Sequence, residues 1–421
     1  MILYALILSG VAHSQKLSSC IECHLSPDWV SDTTIAGKFL ERDVHHNFGL
    51  DCSDCHGGDP KVGFVEEDPS LAMDTAKGFS PHTNRLKVPD FCGGCHSNIE
   101  YMKDYNPRLS TEQLRLYKTS VHGKRLYNDK DTMVAVCSDC HGTHGILPPD
   151  DSRSSVYHNN VPYTCKACHS NEAHMKGYRY KGKPIPTNQF EQYSQSVHGK
   201  LVLEQGDKSA PACNNCHGSH GATPPQLASV AAACGECHAS NQTFFDNSPH
   251  KKPWDELGIP ECERCHGNHL IHAVSDTMIG TTPGALCIEC HDPGSPGYVV
   301  AGEIRADIDS LKFAVAHTDS LLNSAGQKGL AVSEEQFQLN SSKDALIQLR
   351  ATVHTFDPAA AGEIADPAIK NADEIGVKVQ ASFQDIRNRQ IALGVSLILI
   401  IIVVIALRRK IIALDKKANI E

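Results

Sequence analysis

The sequence lacks an excess of basic charge: 39 lysines and arginines face 49 aspartates and glutamates, a formal net charge of −10. That balance argues against nucleic acid as a partner. Aromatic residues are scarce, at 6 %, and methionine occurs only six times. Histidine, at 24, outnumbers both tyrosine (11) and phenylalanine (12). Above all, no cysteine lies outside one repeated pattern. All 18 fall in pairs with two residues between them, and none is left over. The length of 421 residues suggests two or three domains.

The pairs are Cys20/Cys23, Cys52/Cys55, Cys92/Cys95, Cys137/Cys140, Cys165/Cys168, Cys213/Cys216, Cys234/Cys237, Cys262/Cys265 and Cys287/Cys290. A histidine follows each pair directly: His24, His56, His96, His141, His169, His217, His238, His266 and His291. Paired cysteines can hold structural zinc or form disulfides in exported proteins. Neither use requires a histidine immediately after every second cysteine. Covalent heme attachment does. The two thiols add across the two vinyl groups of one heme, and the spacing lets both sulfurs reach one porphyrin edge. The adjacent histidine then lies under the iron as its proximal ligand. The expected cofactor complement is nine hemes of the c type.

The motif-bearing zone repeats internally. CGGCHSN at Cys92 is followed by Tyr117-Lys-Thr-Ser-Val-His122-Gly-Lys and then CSDCHGTHG at Cys137. CKACHSN at Cys165 is followed by Tyr193-Ser-Gln-Ser-Val-His198-Gly-Lys and then CNNCHGSHG at Cys213. A shorter copy runs from Cys234 through His250 to CERCHGNHL at Cys262. The motifs at Cys20, Cys52 and Cys287 read as degenerate copies. With about thirty residues per motif, such units are too small for an apolar core of their own. Packed hemes are expected to supply it, wrapped by short helices and loops.

Iron used only for electron transfer is usually closed by a second axial ligand, and the copies rank the candidates. His122, His198 and His250 occupy one equivalent place, and His144, His220 and His269 another. The latter lie three residues past a proximal histidine, too close to reach the same iron, so they are expected to reach a neighbouring heme. His82, His158 and one of the adjacent His45 and His46, with His46 taken as the ligand, complete nine. His174, His272, His317 and His354 are left over, and the spacing of His317 with Phe313 and Leu321 suggests a packed residue. No methionine stands at a repeated ligand position.

Residues 15–298 are therefore read as a nonaheme domain, mainly α with much irregular loop. Residues 299–390 contain no cysteine and show helical spacing at Ile304, Ile308, Leu311 and Val315. Ser333-Glu-Glu-Gln336 fits a capping box opening a second helix, which ends near Asp357-Pro358. Asp366-Pro367 fits the start of a third, making a heme-free helical stalk. Ile391 to Leu407 is a charge-free apolar run of 17 residues, expected to span a membrane. Arg408, Arg409, Lys410, Lys416 and Lys417 beyond it put residues 408–421 on the cytoplasmic side. The heme domain then lies on the periplasmic side of the inner membrane. Residues 1–14 are expected to be a signal peptide, though without the usual basic start.

The succession CxxCH, SVHGK and CxxCHGxHG resembles the membrane-associated multiheme cytochromes c of bacterial respiratory chains. The resemblance implies electron transfer between a quinol-oxidising membrane partner and periplasmic or extracellular acceptors. It also implies redox partner proteins and a possible place as the heme subunit of a larger complex. The quinol dehydrogenases of such chains with an N-terminal anchor differ in layout from this sequence. The alternative is a multiheme oxidoreductase of the nitrite or hydroxylamine type, which needs one open iron. No CxxCK motif is present, and the histidines suffice to close every site.

Overall fold

The computed structural model describes residues 18–63, 68–81, 84–224 and 232–418. The expected signal peptide lies outside them. The chain is mainly helical, and the strands among the described residues are Arg179–Tyr180 and Lys183–Pro184, an antiparallel pair. Two compact units emerge: Met1–Ala233 with His266–Ala273, and Cys234–Cys265 with Val274–Glu421.

In the first unit most helices are short, and polar contacts fix their ends. In the motif helices Cys52–His56, Cys137–His141 and Cys213–His217, the residue before the second cysteine caps its own helix. Asp54, Asp139 and Asn215 accept the backbone N–H of Asp51, Val136 and Ala212 at 2.6, 2.7 and 2.9 Å. Gly142 and Gly218 then turn the chain at φ of +84° and +83°, where a side chain would be strained.

The SVHGK segments have an equally local logic. Ser120 Oγ accepts the Gly123 N–H at 2.9 Å and donates to the Tyr117 carbonyl at 2.6 Å. Ser196 repeats this with Gly199 and Tyr193 at 3.0 and 2.6 Å. A Cβ on Gly123 would sit 1.9 Å from the Tyr117 carbonyl oxygen, and one on Gly199 1.8 Å from that of Tyr193. Only glycine permits this approach beside the histidine. The hydroxyls of Tyr117 and Tyr193 donate to Ala135 and Pro211, tying each segment to the approach of the next motif.

In the second unit, helices Pro296–Gln327, Ser333–Thr352 and Pro358–Ala418 pack on one another. Ile304, Ile308, Leu311 and Val315 are buried, as their spacing predicts, together with Leu349, Ala361 and Ala365. A second cluster joins Leu322, Leu339, Ala372, Ile375 and Val379. Two buried hydroxyls satisfy carbonyls of the last helix: Thr318 donates to Ala372 at 2.9 Å and Ser342 to Ala368 at 2.8 Å.

Two expected helix starts are corrected. Buried Val332 takes the cap position, so Ser333 is the first helical residue and no side-chain capping bond forms. The third helix begins at Pro358, not Pro367. Asp357-Pro358 offers the same chemistry earlier, with Asp357 accepting the Ala359 N–H at 2.9 Å. Pro367 is carried inside the helix. There its missing N–H is offset by small residues, Ala361, Ala365, Ala368 and Ala372, that pack closely on the other helices.

The apolar run Ile391–Leu407 continues this helix without a break. Its most apolar window has a mean hydropathy of 3.0, and none of it is buried. The run is therefore not a core helix of this chain. A single C-terminal apolar helix is compatible with membrane anchoring.

Candidate functional site

The histidines meet in twos. In the first unit, ring centroids lie 6.0 Å apart for His56 and His144, 6.1 Å for His141 and His220, and 5.9 Å for His217 and His269. Those ring planes are nearly parallel, at 11°, 4° and 14°. His45 and His96 lie 6.0 Å apart, and His122 and His169 6.2 Å, with planes crossed at 80° and 61°. In the second unit, His250 and His291 are 5.9 Å apart and crossed at 76°.

Every one of these six pairs joins a motif histidine to a histidine outside the motifs. The register follows the copies. A lone histidine of one copy faces the first motif of the next copy. A histidine three residues past a second motif faces the second motif of the copy before. Parallel planes occur at second motifs and crossed planes at first motifs.

Backbone bonds hold that register. The N–H preceding each lone histidine donates to a carbonyl just past the other class: Val44 to Ile146 at 2.8 Å, Val121 to Ala222 at 3.0 Å, and Val197 to Ile271 at 2.9 Å. In the next copy the equivalent residue is Pro249, which has no N–H to give. Asp43 adds a link that sequence reasoning missed. Its buried carboxylate accepts from His45 Nδ1 at 2.9 Å and from the N–H groups of Gly145 and Ile146 at 2.7 and 2.9 Å. It thus orients His45 and the loop carrying His144 together, although burial opposes its charge. Those hydrogen bonds, His45 first, still hold its carboxyl below the usual range. His56 and His217 donate Nδ1 to the carbonyls of Ser80 and Thr223, at 2.9 and 3.2 Å. Such bonds fix the tautomer that presents Nε2 as a ligand.

For eight of the paired rings burial favours the neutral, ligating form. Burial, then His169, holds His122 down at about 4. Burial, then His217, does the same for His269, also at about 4. His96, His141, His144, His169, His220 and His250 are lowered chiefly by burial.

No disulfide joins the cysteines; all are thiols. They neighbour one another in sequence order. Cys52 interacts with Cys20, and Cys55 with Cys95 and Cys92. Cys92 hydrogen-bonds Cys137, Cys140 interacts with Cys165 and Cys168, and Cys165 hydrogen-bonds Cys213. In the second unit Cys234 hydrogen-bonds Cys262, and Cys265 interacts with Cys287 and Cys290. Burial pushes the thiols of Cys140 and Cys265 up to about 11, the opposite of an activated nucleophile.

The two cysteines of one motif differ in exposure, as at Cys216 and Cys237. Both are exposed, whereas their partners Cys213 and Cys234 are half-buried. Cys55, Cys95 and Cys290 are exposed in the same way. Each is the second cysteine of its pair. The physical reason is local. Cys213 and Cys234 turn toward a cysteine of another motif, Cys165 and Cys262 respectively. Three residues on, Cys216 lies in the last turn of the helix Cys213–His217, and Cys237 lies in a turn closed by its N–H on the Cys234 carbonyl at 3.2 Å. The two sulfurs of one pair therefore sit at different depths.

Other candidates are placed differently. His45, not His46, faces a motif; His46 packs on Phe39 with centroids 5.3 Å apart. His158 gives Nε2 to the Ala210 carbonyl at 2.9 Å. His82 lies outside the described residues. His198 occupies the same capped, glycine-backed position as His122. His24 and His272 are exposed, and His174 lies beside Tyr178. His317 is exposed on its helix and stacks on Phe313, not packed inside, because it falls one position off the buried stripe.

Comparison with protein-family models, with curated proteins and with solved structures finds no match. Whether a heme iron fits is therefore asked of the geometry alone. An imidazole nitrogen sits about 2 Å from a first-row metal and about 1 Å from its own ring centre, so two trans imidazoles hold their centres about 6 Å apart. The six pairs meet that spacing. Among the described residues no three His, Cys, Asp or Glu side chains converge as an ion cage would require.

Proposed function

We propose that this chain is a membrane-anchored electron carrier with nine c-type hemes, relaying electrons between a quinone-linked membrane partner and periplasmic or extracellular acceptors. The observation that carries the reading is the set of six histidine pairs at 5.9–6.2 Å, each with one member in a CxxCH motif. Bound heme supplies the one-electron couple. The chain's own residues do the rest. Paired thiols would anchor each porphyrin, and in the six pairs the facing imidazoles would hold its iron on both sides, favouring electron transfer over substrate binding. Asp43 and backbone carbonyls hold those imidazoles in orientation. Burial and the acidic chain tune the potentials, negative charge favouring the ferric state. Because successive motifs neighbour one another within each unit, electrons pass along each in sequence order.

The test is heme quantification with electron paramagnetic resonance of the oxidised full-length protein. Nine hemes per chain are expected. The irons should be low-spin and fall into two families, rhombic for parallel imidazole planes and strongly anisotropic for crossed ones. A high-spin iron in the native protein would replace the carrier with a multiheme oxidoreductase. Absence of covalent heme would end the proposal.

A further inference from the structure

The histidine pair of the last motif is held by different means from the others. His250 and His291 face each other at 5.9 Å with planes crossed at 76°. Elsewhere polar acceptors orient such rings, as Asp43 does for His45 and the Ser80 carbonyl for His56. The Nδ1 of His250 is enclosed and meets no hydrogen-bond partner among the described residues. Aromatic rings lie against it instead: Phe356 with centroids 4.1 Å away at 62°, and Trp254 at 5.7 Å and 74°. Packing therefore sets the plane of this ring.

Phe356 follows the short helix Val353–Thr355 at φ of +52°, a left-handed conformation that a bulky side chain rarely takes. Glycine would relieve that strain, but the ring would be lost. Strain of this kind persists where the surroundings over-determine it. Here Phe245 also packs on the Phe356 ring, at 6.4 Å.

His291 is backed by Gly297, in the first turn of the helix Pro296–Gln327. A Cβ at Gly297 would lie 2.3 Å from both Cε1 and Nδ1 of His291 and 2.8 Å from its Cγ. Any side chain there would have to push the imidazole aside. Helix propensity favours alanine over glycine, so it gives no reason for this residue. The approach to the ring does. Gly302, further along the same helix, has room: its Cβ would meet Thr281 Cγ2 at 3.7 Å, an ordinary contact. The approach to the last motif is fastened to this helix as well. Arg305 Nη1 donates to the carbonyls of Asp276 and Ile279 at 2.6 and 3.3 Å, and the Leu286 N–H to that of Met278 at 2.9 Å.

We propose that Gly297 and Phe356, from the cysteine-free helical region, are positioning residues for the iron of the last motif. Gly297 places the proximal ligand His291, and Phe356 the distal ligand His250. The inference rests on the heme reading above and deepens it. The helix bearing the apolar run begins at Pro358, just past Phe356, so the last heme shares a joint with the anchor.

The experiment is electron paramagnetic resonance of full-length, heme-loaded protein in detergent. Gly297→Ala should leave the helical region intact while one iron in nine turns high-spin, returning to low-spin with added imidazole. Gly302→Ala makes the same chemical change on the same helix and should leave the spectrum as it is. Phe356→Gly eases the backbone but removes the ring, so one strongly anisotropic signal should shift while the others stay. His250→Ala opens the same iron, so Gly297→Ala/His250→Ala should give one high-spin iron rather than two. An unchanged spectrum in Gly297→Ala or Phe356→Gly, an equal perturbation by Gly302→Ala, or two high-spin irons in the double variant would overturn the assignment. If Gly297→Ala does not accumulate, Phe356→Gly still decides. Fewer than nine hemes in the native protein would instead overturn the reading beneath it.

Discussion

The motif-bearing region and the three-helix region are organised by opposite means. Among the described residues the first has little apolar core of its own: one cluster of Tyr117, Leu126, Val134 and Val136. Serine and asparagine caps and tight glycine contacts hold the rest. The helical region buries two extended clusters of leucine, isoleucine, valine and alanine. One region relies on local polar contacts around short helices, whereas the other carries its own apolar core. The contrast explains why about thirty residues per motif suffice in one and three long helices are used in the other.

Withholding heme should separate the two most. A chain produced without heme maturation is expected to lose cooperative structure across residues 18–273, while residues 296–418 stay helical. Circular dichroism with limited proteolysis reads both at once, and an array that stays protease-resistant without heme would break the comparison. A smaller effect is expected from Leu349→Ala. Leu349 is fully buried, so the lost side chain and the cavity should cost about 3 kcal/mol in the helical region. Denaturant titration should show that loss with heme content unchanged.

The smallest effect concerns Asp276, which accepts from Arg350 at 2.8 and 2.9 Å and from Lys312 at 2.8 Å. These partners, Arg350 first, hold its carboxyl down at about 2. A depressed carboxylate stabilises the fold above its unfolded value near 4 and loses that contribution as pH falls through about 2. Both cationic partners are largely solvated, so about 1 kcal/mol is expected. Asp276→Asn should flatten the acid limb of the stability curve. An unchanged limb would show that the ion pairs contribute nothing.

Several features were legible because they are local. The motif pattern, the repeated histidine positions, the Ile304–Val315 stripe and the apolar run are periodicities within short stretches. Pairing was not legible, because it is a relation between copies. That His144 faces His56, rather than a nearer motif, depends on the strap from Val44 to Ile146. The choice between His45 and His46 turned on one carboxylate, and the spacing Asp43-x-His45 was the available signal. The unequal depth of Cys213 and Cys216, or of Cys234 and Cys237, has no trace in a motif that treats both sulfurs alike. The third helix began early because two Asp-Pro pairs offered identical caps and only packing chose between them.

The unbroken helix Pro358–Ala418 has a mechanical consequence. At about 1.5 Å and 100° per residue, it acts as both a spacer and a phase wheel. The 33 residues from Pro358 to Gln390 span about 50 Å between the first turn and the apolar run. Inserting one residue at the junction would barely lengthen the helix, yet would turn what precedes it through more than a quarter circle relative to the apolar run. Four residues would nearly restore the phase. Azimuth, more than height, is the quantity this joint transmits.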